Sequence, residues 1–281
     1  MPLFIVSTPI GNSNDITIRA KNILNSCALI ISENTRTTNK LLQMHEIFGK
    51  KIMNFTDHTE ENFFLPFLEI AQTQDVCLVS EAGTPIIADP GYKIIKKAIE
   101  IGVKVFSVPG ASSLTAAISV SGLPFYNFAF LGFYEKNKIP EIKNTLNLNL
   151  SIALFVPARD ISKTLQELEP EIGNRQICIA RELTKLFEDV KTGTFQEIKA
   201  YYESGEKLRG EAILMISGIS EKTNESPDIS TIVNEILLEK PFLANLRESD
   251  LSEILKCYEK SLQTFSKKQI YNQLLKRKST D

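Results

Sequence analysis

Residues 3–108 alternate short continuous apolar runs with stretches whose apolar residues recur at helical spacing, and this alternation constrains the fold more than any other property of the chain. The runs 3–7, 28–31, 51–55, 76–79 and 103–108 read as strands. Residues 15–26, 37–47, 60–72 and 92–101 read as amphipathic helices, the first through Ile16, Ala20, Ile23 and Leu24. Strands that alternate with helices this regularly make βαβ units and a mostly parallel sheet. Helices then cover both faces of the sheet, which is why its strands are apolar throughout.

After Pro109-Gly110 the pattern changes. A small-residue helix over 111–121 precedes strands at 128–133, 152–156, 176–181 and 212–217, with a helix at 161–167 and a hairpin arm at 190–195, a strand-rich set that implies a mixed sheet. The polar stretch 221–228 has linker composition, and the remainder is helical in pattern. The expected organisation is an N-terminal α/β domain over 1–110, a second α/β domain over 111–220 and a small helical region over 229–281.

Three strand-ending loops share one character. Residues 7–12 (Ser-Thr-Pro-Ile-Gly-Asn), 80–91 (Ser-Glu-Ala-Gly-Thr-Pro-Ile-Ile-Ala-Asp-Pro-Gly) and 109–113 (Pro-Gly-Ala-Ser-Ser) concentrate glycine, proline and hydroxyl residues where a parallel sheet ends. The carboxyl ends of parallel strands lie on one edge, so the three loops would line one crevice able to hold an extended, nucleoside-bearing ligand. The plain alternative is a set of tight turns joining strand to helix. Neither a dinucleotide-type Gly-x-Gly-x-x-Gly nor a phosphate-binding Gly-x-x-x-x-Gly-Lys-Ser/Thr is present.

Composition narrows the class further. A chain of 281 residues with 43% hydrophobic and 23% charged residues and a net charge of −2 is ordinary for a globular protein, and its balance argues against gripping nucleic acid by bulk charge. Local basic clusters remain at Lys93, Lys96 and Lys97 and at Lys267, Lys268, Lys276 and Arg277, where solvated helix faces would look the same. The four cysteines, Cys27, Cys77, Cys178 and Cys257, are far apart, which speaks against a disulfide framework or a metal knuckle and fits a reducing, cytoplasmic setting. No apolar run approaches the ~18 residues of a membrane span, and residues 1–6 lack the features of a signal peptide. A soluble, untargeted protein is expected.

Five ordered motifs carry a family resemblance. They are 8–12 with Asp15-Ile16-Thr17 and Arg19-Ala20; Glu33-Asn34-Thr35-Arg36; the 80–91 loop; Pro109-Gly110-Ala111-Ser112 with Ser121-Gly122-Leu123-Pro124; and Ala180-Arg181-Glu182-Leu183-Thr184-Lys185. Over roughly residues 1–218 the chain resembles the tetrapyrrole-methylase superfamily, and more narrowly its branch that methylates a ribose 2′-hydroxyl of a cytidine in 16S rRNA. The resemblance implies two α/β domains with a cofactor cleft between them, S-adenosylmethionine as cofactor, no metal, the small ribosomal subunit as partner, no membrane and a homodimer. It assigns cofactor contacts to Pro9, Gly11, Ala82, Gly83, Thr84, Ile87, Ser112, Ser113 and Pro157. A neutral ribose hydroxyl is a poor nucleophile and is helped by a base or an orienting group. The family motifs offer Glu33, Arg36, His58, Glu182 and Lys185 for that work, with Asp57 beside them. Each has a plainer reading: His58 as a surface residue before a helix, Glu33 and Arg36 as a capping ion pair, and Arg181, Glu182 and Lys185 as a local salt-bridge set.

The chain also departs from the branch. Glu81 and Asn34 stand where aspartates are usual, Thr56 and Thr59 interrupt a His-x-His-Asn motif around His58, and the segment 134–141 is nearly neutral where a strongly basic run is common. Fewer phosphate contacts would weaken RNA binding and flatten its salt dependence. An acceptor other than rRNA, either a small molecule or a protein, and a non-catalytic cofactor- or RNA-binding relative stay open beside the rRNA reading.

Overall fold

The structure, a computed structural model, describes residues 2–56, 61–203, 208–219, 229–240, 243, 246–258, 262 and 265–278. Residues 1–220 and 221–281 form two compact units.

The first unit opens as the sequence pattern requires: β1 (Pro2–Val6), α1 (Ile18–Ser26), β2 (Leu29–Ser32), α2 (Thr35–Met44), β3 (Lys51–Asn54), α3 (Glu61–Thr73), β4 (Val76–Val79), α4 (Tyr92–Glu100) and β5 (Lys104–Val108). The five strands form an all-parallel sheet in the order β3-β2-β4-β1-β5. Every residue of β2 and β4 is buried, because helices cover both faces. Leu29, Ile31, Val76 and Leu78 point to one side with Leu68 of α3 and Ile94 of α4. Ile30, Cys77 and Val79 point to the other with Leu24 of α1 and Leu42 of α2. Thus α1 and α2 carry the chain across one face in one direction, and α3 and α4 carry it back across the other. Beside β4 and β1, at the centre of the sheet, the connections part to opposite faces, the place where ligands bind in open α/β sheets. Thr17 caps α1 by accepting from the Ala20 amide at 3.0 Å, and Asn34 caps α2 by accepting from the amides of Arg36 and Thr37.

The unit continues with α5 (Ser113–Val120), β6 (Phe128–Phe133), α6 (Ile139–Asn147), β7 (Ser151–Pro157), α7 (Ile161–Ile172), β8 (Gln176–Arg181), β9 (Asp189–Thr194), α8 (Phe195–Glu203) and β10 (Glu211–Ile216). The second sheet runs β6-β7-β10-β8-β9; only β6 and β7 are parallel, the mixed sheet expected. Its two faces separate cleanly along β7: Ile152, Leu154 and Val156 pack with α6, α7 and α8, whereas Ala153 and Phe155 pack toward Ala117 of α5 and Ile10 of the loop after β1. That second face brings the loop after β8 onto the loop after β1. Helices α6 and α8 and the last turns of α7 are absent from the sequence reading. Cys27, Cys77 and Cys178 are buried in these cores, and Cys257 is exposed.

The second unit is helical: α9 (Ile229–Glu239), α10 (Glu248–Tyr258) and α11 (Lys267–Lys278). Leu251 and Leu255 of α10 and Ile270 and Leu274 of α11, each pair one turn apart, share its core with Val233 of α9. A capping box starts α11: the Gln269 amide donates to Ser266 Oγ at 3.3 Å and the Ser266 amide to Gln269 Oε1 at 2.8 Å. Among the described residues no helix is long and apolar enough to cross a membrane.

Candidate active site

A cavity of about 600 Å³ lies between the carboxyl edge of the parallel sheet and the second sheet, within the range usual for small-molecule sites. Its floor is built by cross-linked loops. Thr8 and Gly83 exchange both backbone hydrogen bonds, Thr8 N to Gly83 O at 2.8 Å and Gly83 N to Thr8 O at 3.0 Å, joining the loops after β1 and β4 in an antiparallel bridge beyond two parallel strands. The Thr84 hydroxyl donates to the Ala111 carbonyl at 3.0 Å; its single proton so committed, it accepts from Ser7 Oγ at 3.0 Å. Three strand ends therefore meet at Thr84.

Gly83 has φ +79°, and a Cβ there would come within 3.2 Å of Ile10 Cγ2. With its amide and carbonyl both committed to Thr8, Gly83 offers the cavity a close backbone approach and no donor. The Thr8 hydroxyl is buried and without a hydrogen-bond partner among the described residues.

The opposite wall comes from the second sheet. The loop after β8 holds Glu182 at φ 51° and Thr184 at φ 66° and is tied to the first loop, the Asn12 amide donating to Thr184 Oγ1 at 3.0 Å. Gly11 is required at that contact: a Cβ would fall 2.8 Å from the Leu183 carbonyl and closer to Thr184 and Lys185. Lys185 pairs with Glu182 at 3.0 Å, the local ion pair that a plain reading expects, whereas Arg181 pairs instead with Asp189 of β9 at 3.1 Å. Phe155 of β7 and Phe133 of β6 supply an aromatic edge, their ring centroids 5.2 Å apart.

Carboxylates outnumber cations in the cavity lining as a whole: Glu33, Glu81, Asp89, Glu182 and Glu211 stand against Arg181 and Lys185. Asp89 is the perturbed one. Burial, reinforced by the nearby charges of Glu33, Glu211 and Glu81 and opposed by the Ser80 hydroxyl, raises its carboxyl to about 6.

Of the residues singled out from sequence, Glu33, Ala82, Gly83, Thr84, Ile87, Ser112, Ser113, Glu182 and Lys185 line the cavity. Pro9 and Gly11 stand outside the lining, flanking Ile10, which is in it. Pro157 ends β7 opposite Glu211; Glu211 lines the cavity and Pro157 does not. Arg36 is exposed in the first turn of α2 and is not part of the lining. His58, with Asp57, lies outside the described residues. Asp89, Glu211, Phe133 and Phe155 line the cavity without having been singled out; Asp89 alone had a signal, its place in the 80–91 loop.

A parallel sheet with loop-lined crevice, joined to a mixed sheet, defines an α/β enzyme scaffold whose ligand sits at strand ends. Residues 2–199 match the tetrapyrrole (corrin/porphyrin) methylases. Ribosomal RNA small subunit methyltransferase I of Rickettsia prowazekii is 36% identical over 283 residues, covering 99% of this chain and 98% of the relative. The protein of that name from Thermotoga maritima is 37% identical, covering 77% of this chain and 98% of its own. A diphthine synthase crystal structure superposes with a TM-score of 0.62 at 18% identity, covering 77% of this chain and 90% of that one, and shares the fold. The chain belongs to the tetrapyrrole methylase family, in its ribosomal RNA small subunit methyltransferase I branch.

Proposed function

We propose that this protein transfers a methyl group from S-adenosylmethionine to the 2′-hydroxyl of a cytidine ribose in 16S rRNA of the small ribosomal subunit. The observation that carries this reading is the end-to-end match, 99% of the chain, to a relative named for small-subunit ribosomal RNA.

The cavity suits the cofactor in two respects. Its volume takes a nucleoside with a side arm, and the bare backbone at Gly83 admits close contact. Bound there, the sulfonium supplies an electrophilic methyl group, and the surplus of carboxylates favours a ligand with positive charge. Residues 1–110 and 111–220, read as two domains, contribute opposite walls, so holding them together orients an acceptor against the cofactor and excludes water. In this reading Glu33, Glu182 and Lys185, which line the cavity, orient an acceptor, and Ala82, Thr84, Ile87, Ser112 and Ser113 contact the cofactor. A cytoplasmic homodimer completes the reading: Phe106 on the edge strand β5 and Tyr126 beyond α5 are 47% and 93% exposed, and sedimentation analysis measures the assembly.

Incubation with labelled cofactor and small ribosomal subunits from a strain lacking its own enzyme tests the acceptor; label in the cytidine ribose is expected. A second reading, a different acceptor, is favoured by the segment after β6. There Lys138 Nζ donates to the carbonyls of Leu131 and Phe133 at 2.7 and 2.9 Å, and Lys136 lies 3.9 Å from Glu167, so these lysines serve the protein's own structure. Label absent from rRNA and present in another cell fraction would favour it.

A further inference from the structure

Asp89 lines the cavity at the end of a strained stretch of the loop after β4. It follows Ala88, at φ 61°, and Ile86, at φ 77°, two non-glycine residues in the left-handed region, one of them β-branched. Such backbone is strained for residues with a side chain and persists only where the surroundings impose it. Here it turns Ile87, Ala88 and Asp89 together into the cavity.

The neighbours set the chemistry. Glu81 accepts from Asn34 and Thr37, and Glu182 from Lys185. Both cations of the cavity are paired elsewhere, Arg181 with Asp189 and Lys185 with Glu182. Asp89 faces the carboxylates of Glu33, from the loop after β2, of Glu81, from its own loop, and of Glu211, from β10; Ser80 is its hydrogen-bonding neighbour, and no cation pairs with it among the described residues. A carboxylate held among like charges in a partly desolvated site gains by taking a proton.

Resting on the methyl-transfer reading above, we propose that Asp89 is the catalytic base that accepts the proton of the acceptor hydroxyl. As the hydroxyl oxygen forms its bond to the methyl carbon, the methyl–sulfur bond breaks and its electron pair returns to sulfur. The O–H bond breaks with its electrons left on oxygen, the proton passes to an Asp89 carboxylate oxygen, and the neutral acid then releases it to solvent. Held at about 6, the group is ionised at neutral pH yet binds a proton more strongly than an ordinary carboxylate, the balance a general base needs.

Asp89→Asn keeps the shape and removes the basic oxygen. With small ribosomal subunits and labelled S-adenosylmethionine, kcat is expected to fall about 10²–10⁴-fold while the cofactor Kd from calorimetry moves less than about threefold. Wild-type kcat/KM, which reports the free enzyme, falls below pH about 6, and Asp89→Glu, a second variant should the amide unfold, retains part of the rate with a displaced acid limb. A carbon-13 carboxyl titration of the cofactor-free protein, assigned by difference against Asp89→Asn or Asp89→Glu, shows one group titrating near 6 and needs no acceptor. A kcat unchanged in Asp89→Asn, a rate loss matched by an equal loss of cofactor affinity, or no carboxyl titrating in that range overturns the assignment. Wild-type protein that binds cofactor, shows that titration and leaves rRNA unlabelled sinks the rRNA acceptor; the base assignment then stands or falls on Asp89→Asn with whichever fraction takes the label.

Discussion

Asn34 donates from Nδ2 to Glu81 Oε1 at 3.2 Å while its Oδ1 caps α2, so one amide ties the loop after β4 to the start of a helix. Thr37 Oγ1 donates to the same carboxylate oxygen at 3.2 Å. The branch that this chain resembles usually carries aspartate at both positions, which would set two like charges face to face. In this chain the two departures meet, an amide pairing with the longer carboxylate.

A double-mutant cycle on this pair is the first prediction. Asn34→Asp keeps the cap, since aspartate caps as well as asparagine, but loses the donor and adds a charge. Glu81→Asp withdraws the carboxylate by a methylene. Thermal denaturation of both single variants and the double should give a coupling of about 0.5–1 kcal/mol, to which the lost hydrogen bond and the added like-charge repulsion both contribute. Additive single-mutant effects would mean that the two residues are neighbours only.

Gly83→Val should abolish cofactor binding. The φ of +79° and the 3.2 Å approach to Ile10 Cγ2 oppose a side chain there, and the bridge to Thr8 transmits any shift to the first loop. Gly102→Ala is the control, with φ +78° and nothing within 4 Å. Both variants should lose about 1 kcal/mol or more to backbone strain, and only the first should lose its calorimetric signal with S-adenosylmethionine.

How much of this was legible in the sequence follows from where each signal lives. Strands β4, β6 and β8 fall on the residues read from their apolar runs, because polar neighbours, Asp75 and Ser80 around the first, Asn127 before the second and Glu182 after the third, mark where each run stops. Helix α7 continues past the expected end: Leu168 and Ile172 extend the buried stripe of Ile161 and Leu165, and that packing outweighs Pro170. Helix α6 buries only Ile142 and Leu146, and α8 begins at Phe195, absorbed in the reading by the hairpin arm, so neither shows a long periodic face. At the site, loops crowded with glycine and proline announce themselves. Phe155 and Glu211 do not, since they enter the cavity only because one sheet packs against the other, and within a strand Phe155 reads as core.

Thr8→Val tests the orphaned hydroxyl. Its oxygen is buried without a partner, so an isosteric methyl should stabilise the cofactor-free protein by about 1 kcal/mol, recovering the cost of a buried unsatisfied group. If the hydroxyl meets the ligand, cofactor affinity falls in the same variant. Differential scanning calorimetry and isothermal titration read the two effects separately, and a stabilised variant with undiminished affinity would place the hydroxyl outside the ligand's reach.

Asp89→Asn should also change stability, in a direction fixed by linkage. The folded carboxyl titrates at about 6, above its ordinary value of 3.8. Between those values the folded protein holds a proton that the unfolded chain has lost, so stability declines as pH rises through that window and stays reduced above it. Removing the charge should therefore leave stability near pH 3.5 unchanged and raise it at pH 7.5. Because Asp89 retains solvent exposure, the gain is taken as about 1 kcal/mol, a Tm higher by ~2–4 °C, and not the full value of the shift. Melting curves of both proteins across that pH range measure it. A variant more stable at neutral pH and slower in catalysis would locate the strain of this loop in its function; equal stability at every pH would show that the carboxylate is better solvated than its neighbours imply.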